Sequence, residues 1–261
     1  MKQASSCVIS NTEITPGVYL MWLESPEIAS AANPGQFVMV RCSDGYDPLL
    51  RRPLSVHRAG RVAGSRRAAN ALALLFRIKG PGTRWLGRRR AGEMVDLVGP
   101  LGRGFALGRD VHNLLLVAGG MGIAPLVALA EDAVALDRSV TIIAGAASDV
   151  DLYPGRLLPP EVELVTVTED GSSGRQGLVT DILPEYLGWS DEVFACGPAE
   201  MYGSIVGLQK RLGSRKPVQV CFEEHMGCGL GACLGCVVET RRGPKRACKD
   251  GPVFYLTDLV L

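Results

Sequence analysis

Up to about residue 105 the apolar positions come in short runs cut by turn residues: 18–23, 36–40 behind Pro34-Gly35, 72–78 and 94–98. Strands of this length with Gly and Pro between them predict a small antiparallel barrel. The pattern changes at Asn113. Residues 114–118 form an unbroken apolar run, as in a strand buried on both faces. A glycine turn follows, then a helical stretch over 124–136. Runs at 140–144, 162–167 and 192–195 read as further strands, and Ala199–Leu212 as a helix. Alternation of strand and helix predicts a parallel sheet with helices on both sides. Residues 99–105 are glycine-rich and mark a boundary, and from 217 a Cys- and Gly-rich tail begins. The expected organisation is β followed by α/β, in three parts: 1–105, 106–216 and 217–261.

Composition agrees with a folded chain. Of 261 residues, 47% are hydrophobic and 21% charged, which excludes disorder and collagen-like repeats. The net charge of +1 gives no reason to expect a nucleic-acid partner. Charge is unevenly spread: 15 basic and 7 acidic side chains before residue 106, then 8 and 15 up to residue 216, then 5 and 5. These shifts coincide with the boundaries drawn from hydropathy. Met1-Lys2 leads into polar residues, so no secretory signal is expected. The uncharged stretch 114–130 has 17 residues and contains Gly119, Gly120, Gly122 and Pro125, which is too short and too broken for a membrane span. A cytoplasmic protein with no membrane contact is expected. Its eight cysteines are then not disulfides, and four within 228–248 point to metal.

Cys228, Cys233, Cys236 and Cys248 have the spacing C-x4-C-x2-C-x11-C, whose first part is the plant-type pattern for a [2Fe–2S] cluster. Gly227, Gly229, Gly231 and Gly235 allow a tight loop and leave N–H groups free to face sulfur. A structural zinc site favours C-x2-C pairs at both ends, and the second pair is missing. Cys7, Cys42 and Cys221 read as small buried hydrophobes, with Cys221 near enough to be an alternative ligand. Gly119, Gly120 and Gly122 follow a strand and open a helix, where a pyrophosphate can meet backbone N–H groups; a tight turn without ligand is the alternative. Arg51-Arg52-Pro53-Leu54-Ser55, placed at the end of a strand, and Gly82-Thr83 offer phosphate contacts, against the alternative of a solvated surface. His57, His112 and His225 are isolated and read as structural or surface side chains. No His–carboxylate or Ser–His constellation is present, so no residue is assigned to catalysis.

Taken in order, these motifs resemble the ferredoxin-reductase-like flavoprotein family. Arg52-Pro53-Leu54-Ser55 is similar to its flavin motif R-x-[YF]-S, with Leu54 in place of the aromatic. Gly119-Gly120-Met121-Gly122 is similar to its nicotinamide-nucleotide loop, and Cys196-Gly197-Pro198 to its C-G-P motif. The tail from Glu223 to Cys236, with Cys248 and Gly251-Pro252, resembles the electron-transfer subunits of B-type dihydroorotate dehydrogenases. The resemblance implies an N-terminal antiparallel β-barrel FAD domain, a Rossmann-like parallel-sheet NAD domain and a small C-terminal [2Fe–2S] domain. It implies that Arg52, Pro53, Leu54, Ser55, Leu75, Phe76, Arg77, Gly82 and Thr83 hold FAD. Gly119, Gly120, Gly122, Cys196, Gly197 and Pro198 would face the nicotinamide nucleotide, and the four cysteines would ligate the cluster. Ala147 stands where relatives using NADP carry Arg, and Asp149 and Asp151 follow, which favours NAD.

NADH yields two electrons as hydride and a cluster accepts one, so a flavin between them makes the chain a converter. No site for a carbon substrate is apparent. The resemblance supplies the missing acceptor: an FMN-containing dihydroorotate dehydrogenase catalytic subunit, two of each subunit, with the cluster tail at their interface. Two other readings remain. One is a diaphorase subunit of a sulfhydrogenase or of a ferredoxin:NADP⁺ reductase complex. The other is a zinc-stabilised adaptor with no activity.

Overall fold

The computed structural model describes residues 1–60 and 71–261. Strands β1 (Lys2–Thr15), β2 (Val18–Glu24), β3 (Phe37–Val40), β4 (Arg52–Gly60), β5 (Ala71–Arg77) and β6 (Met94–Leu101) close an antiparallel barrel in the order β1-β2-β5-β4-β3-β6. Helix α1 (Pro26–Ala29) follows β2, and α2 (Pro81–Gly87) follows β5. Met21, Leu23, Val38, Val40, Leu72, Leu74 and Leu97 fill the interior.

Three features of this half depart from the sequence reading. The 14-residue β1 carries mostly small polar residues and gives no apolar periodicity. It is held by backbone ladders to β2 on one side and β6 on the other, as closure of a barrel requires. Arg52 opens β4 rather than ending a strand, and β6 runs through Leu101, so part of the glycine-rich boundary lies inside the barrel.

The second half is built on β7 (Asn113–Gly119), β8 (Ser139–Ala146), β9 (Glu163–Thr168), β10 (Arg175–Gln176), β11 (Glu192–Cys196) and β12 (Val218–Cys221), all parallel. A hairpin of β13 (Val237–Val238) and β14 (Lys245–Arg246) leads into α6 (Ala247–Asp250). Finally β15 (Val253–Tyr255) adds to β12 antiparallel, giving the sheet order β10-β9-β8-β7-β11-β12-β15. The tail beyond residue 217 therefore contributes two strands to this sheet. Leu114 and Leu116 of β7 pack beneath α3 (Ile123–Ala135), whereas Leu115 and Val117 pack beneath α4 (Val179–Leu187) and α5 (Ala199–Leu212). Burial on both faces is the reason that run is unbroken. Helix α4 escaped the sequence reading because Pro184 interrupts its pattern.

Among the described residues, two apolar patches join the halves. Val18, Leu20, Ala73 and Leu75, from the outer face of β2 and β5, pack against α3. Phe37, Met39 and Leu101 pack with Val220, Cys236 and Cys248 of the tail. Among the described residues no helix is long and apolar enough to cross a membrane.

Candidate functional site

A cleft of about 450 Å³ opens between the barrel and the sheet. Strands β4 and β5 are antiparallel neighbours, so the start of one and the end of the other reach the same rim of the barrel. That rim brings Arg52, Pro53, Leu54, Ser55, Leu75, Phe76 and Arg77 together, and α2 adds Gly82 and Thr83. Opposite them lie Met121 and Ala124, at the start of α3, and Cys221, Phe222, Glu223, Glu224 and Met226, which run from β12 toward the cysteine loop.

The two arginines of the motif have different tasks. Arg51 is tied to Asp96, with Nη1 2.7 Å from Oδ1. Arg52 donates from Nη1 to the Leu50 carbonyl (2.6 Å) and lines the cleft. Gly82 lets α2 approach it closely, since a Cβ there would lie 3.2 Å from Arg52 Nε. Thr83 Oγ1 accepts from the backbone N–H groups of Lys79 (2.9 Å) and Gly80 (3.2 Å), so its hydroxyl also caps the turn into α2. Phe76 is buried and stacks on Tyr19 at 5.8 Å. Arg77 donates from Nη2 to Asp151 Oδ1 (2.8 Å), yet its Nε is buried without a partner. A largely apolar cleft lined by two arginines, one of them with an unpartnered buried Nε, fits an anionic, largely aromatic group such as FAD.

The glycine loop and the C-G-P turn leave the sheet side by side, because β7 and β11 are adjacent and parallel with Ala118 opposite Cys196. Their glycines interlock. A Cβ on Gly122 would stand 1.9 Å from the Cys196 carbonyl oxygen, and one on Gly119 would stand 2.9 Å from Pro198 Cδ. Gly120 differs: it has φ +54° and nothing within 4 Å of a Cβ. Tyr202 of α5 secures the turn from below. Its buried hydroxyl accepts from Gly197 N (3.1 Å) and donates to the Cys221 carbonyl (2.8 Å). Hydrogen bonding to the Cys221 thiol, followed by burial, holds the Cys196 thiol well above its usual range. The sequence reading missed Tyr202; an aromatic six residues after Cys196 carries no motif.

A second cavity, about 330 Å³, lies beyond this loop. Gly119, Gly120, Ala146, Ala147, Pro198 and Met201 line it, with Glu169 and Glu200 as its acidic members. Asp151 does not line it, since its carboxylate is held by Arg77, and neither does Asp149.

The four cysteines are electrostatic neighbours: Cys228 senses Cys233, and Cys248 senses both Cys236 and Cys228. Backbone N–H groups point at the sulfurs: Leu230 N lies 3.3 Å from Cys228 Sγ and Cys248 N 3.5 Å from Cys236 Sγ. N–H donors from Leu230 and Cys233 pull the Cys228 thiol down to about 6, while burial beside Cys236 pushes Cys248 up to about 12. Gly229 and Gly231 take φ of +71° and +81°, which lets the loop curl around sulfur. Gly229 also presses on the barrel, where a Cβ would meet Met39 Cγ at 2.5 Å. Arg246 clamps α6 to the loop through Asp250 (3.0 Å) and the Gly231 carbonyl (3.2 Å). Among the described residues no three Cys, His, Asp or Glu side chains converge on one point. Four thiols on one loop-and-helix unit, with backbone N–H groups aimed at sulfur, fit the donor set of a [2Fe–2S] cluster.

Residues 223–260 match the family model for the iron–sulfur cluster binding domain of dihydroorotate dehydrogenase B. The chain is 40% identical over 248 residues to the dihydroorotate dehydrogenase B (NAD(+)) electron transfer subunit of Desulforamulus reducens, covering 92% of each chain. It is 35% identical to the Bacillus cereus (strain B4264) subunit of the same name over the full length of both. Among solved structures it is similar to a chain of an NADH-dependent reduced ferredoxin-NADP oxidoreductase, with TM-score 0.84 and 28% identity over 98% of this chain and 90% of that one. A Neisseria gonorrhoeae ferredoxin NADP+ reductase with bound FAD and NADP shares the fold at TM-score 0.66 and 19% identity, over 82% of this chain and 92% of that one. Similarity at this level over the whole length, ending in the cluster-binding segment, makes the chain a member of the dihydroorotate dehydrogenase B electron transfer subunit family.

Proposed function

We propose that this chain carries electrons between NAD(H) and a dihydroorotate-oxidising catalytic subunit by way of FAD and a [2Fe–2S] cluster. In this reading Arg52 and Arg77 hold the flavin's charged groups, while Leu54, Ser55, Leu75 and Phe76 flank its ring from the barrel side. Gly82 and Thr83 border its phosphates. The glycine loop and Gly197-Pro198 receive the nicotinamide nucleotide, with Cys196 beneath them. Cys228, Cys233, Cys236 and Cys248 ligate the cluster. When bound, the flavin supplies the exchange between two-electron hydride chemistry and one-electron transfer. The protein's own part is to fix distances, exclude water and direct N–H groups at sulfur.

The observation that carries this reading is the cleft's position between the two other sites. Met121 and Ala124, next to the glycine loop, form one wall; Met226, two residues before Cys228, belongs to another. A group seated there is adjacent to both. For the nucleotide, Glu169 and Glu200 in the second cavity favour a free ribose 2′-hydroxyl over a 2′-phosphate, in line with the NAD(+) in the relatives' name.

Cys233 is exposed, and beside it Leu230 and Leu234 are 46% and 62% exposed. Apolar side chains bared next to a redox centre favour a docking partner there, and we assign this face to the FMN-containing catalytic subunit in a two-plus-two assembly. The test is Leu234→Arg in the purified complex. It should abolish NAD⁺-linked dihydroorotate oxidation and leave NADH-to-dye reduction intact. Survival of both activities would remove the interface assignment, and a mass matching one copy of each subunit would remove the stoichiometry.

A further inference from the structure

Polar ties cross from the barrel to the sheet half, and the central one is sealed from solvent. His57, on β4, is completely buried. Its Nδ1 lies 2.9 Å from the Ala124 carbonyl oxygen and its Nε2 lies 3.1 Å from the Tyr153 hydroxyl. A carbonyl only accepts, so Nδ1 carries the proton and Nε2 accepts from Tyr153. Both ring nitrogens are thus used in one neutral tautomer. Burial, with the neighbouring Arg58 charge, pushes the imidazole down to about 3, so that tautomer persists at working pH. On either side, Arg58 Nε reaches Glu131 Oε1 and Arg77 Nη2 reaches Asp151 Oδ1, each at 2.8 Å.

The places these groups occupy give the tie its meaning. His57 stands two residues beyond Ser55 on the strand that lines the cleft. Ala124 is in the first turn of α3, directly after the glycine loop, and itself faces the cleft. Tyr153 lies beyond β8, just after Asp151. One ring therefore braces the flavin strand against the nucleotide loop. Apolar packing of β2 and β5 on α3 holds the halves together but has no direction. Two hydrogen bonds to one planar ring set both distance and angle.

We propose that His57 is a positioning residue for hydride transfer, fixing the nicotinamide nucleotide held by the glycine loop at reacting distance from the flavin carried on β4. The proposal rests on the function given above. Reacting atoms must sit about 3–3.5 Å apart, and a displacement near 1 Å costs about 10²-fold in rate.

The test follows reduction of FAD by NADH in the anaerobic holoprotein, by stopped flow over a range of NADH concentrations. His57→Phe fills the space and removes both hydrogen bonds. It is expected to keep its FAD, lower the limiting reduction rate at least about tenfold, and leave the NADH dissociation constant within about twofold. His57→Asn, whose amide nitrogen can stand where Nδ1 stood, should recover most of the rate. Purely structural damage would instead lower FAD content and melting temperature in step with the rate. A His57→Phe protein with wild-type limiting rate, or one altered only in NADH affinity, overturns the proposal. Should His57→Phe fail to fold, Tyr153→Phe removes only the donor to Nε2; a slower limiting rate at unchanged NADH affinity supports the proposal and an unchanged rate overturns it. Wild-type protein that holds FAD but is not reduced by NADH would overturn the function itself, an outcome separate from any difference among variants.

Discussion

Gly122 and Gly120 stand two residues apart in one loop, yet they should fail in different ways when a methyl group is added. An alanine at 122 would put Cβ 1.9 Å from the Cys196 carbonyl oxygen and 2.3 Å from its carbonyl carbon, about 1.5 Å inside ordinary contact. The obstructing atoms are backbone of β11, which is paired on both sides, to β7 and β12. The glycine loop must therefore move, at the upper end of the overpacking range, about 3 kcal/mol. At about 2–4 °C per kcal/mol for a chain of this size, Gly122→Ala should melt about 6–12 °C below wild type. Gly120→Ala meets no atom, and its φ of +54° costs about 1–2 kcal/mol. Its methyl group would project where the second cavity is lined, so its main effect should be a raised KM for NADH in dye reduction. Thermal unfolding of the FAD-loaded protein, with steady-state kinetics on the same preparations, separates the two. Melting of Gly122→Ala within 2 °C of wild type, or an unchanged KM in Gly120→Ala, would refute the division of labour between packing and ligand contact.

Three other outcomes are expected. Tyr202→Phe leaves Gly197 N and the Cys221 carbonyl without their partner, a loss of about 2–4 kcal/mol by urea unfolding; a loss under about 1 kcal/mol would contradict it. His57 has a folded-state pKa of about 3, below its unfolded value of about 6.5, so the unfolded chain binds the extra proton between these values and this contribution to stability falls as pH drops from 6.5 toward 3. Relative to neutral pH the loss at pH 5 is about 2 kcal/mol, and since buried acids such as Glu131 and Glu192 are shifted upward and act in the opposite sense, the difference between wild type and His57→Asn isolates it. Identical acid profiles for the two proteins would contradict that value. Glu169→Gln should raise NADPH use relative to NADH by up to about fivefold, whereas Asp149→Asn should leave the ratio unchanged; the reverse pattern would return the choice of nucleotide to the residues after β8.

The division into barrel and parallel sheet was legible because buried strands announce themselves. Residues 114–118 are apolar on both faces and the structure buries both. What the sequence hid is held by backbone or by distant partners. Strand β1 owes its place to ladders on both sides, and α4 forms across Pro184 because Val179, Ile182, Leu183 and Leu187 cover the sheet. Local motifs marked the residues of the cleft well, since Arg52, Ser55, Arg77 and Thr83 do meet at one rim. They did not show that Asp151 is spent on Arg77, that Gly122 is needed for packing, or that His57 meets Ala124, 67 residues further along the chain. Those facts depend on which strands become neighbours, and periodicity along the chain carries no such information.

The most direct test of the relay is the metal, sulfide and flavin content of the anaerobically purified chain, read with its visible spectrum before and after NADH. The account predicts about two iron and two acid-labile sulfide per FAD, with both the flavin and the iron–sulfur absorbance bleached by NADH. One zinc per chain, no flavin and no response to NADH would contradict it.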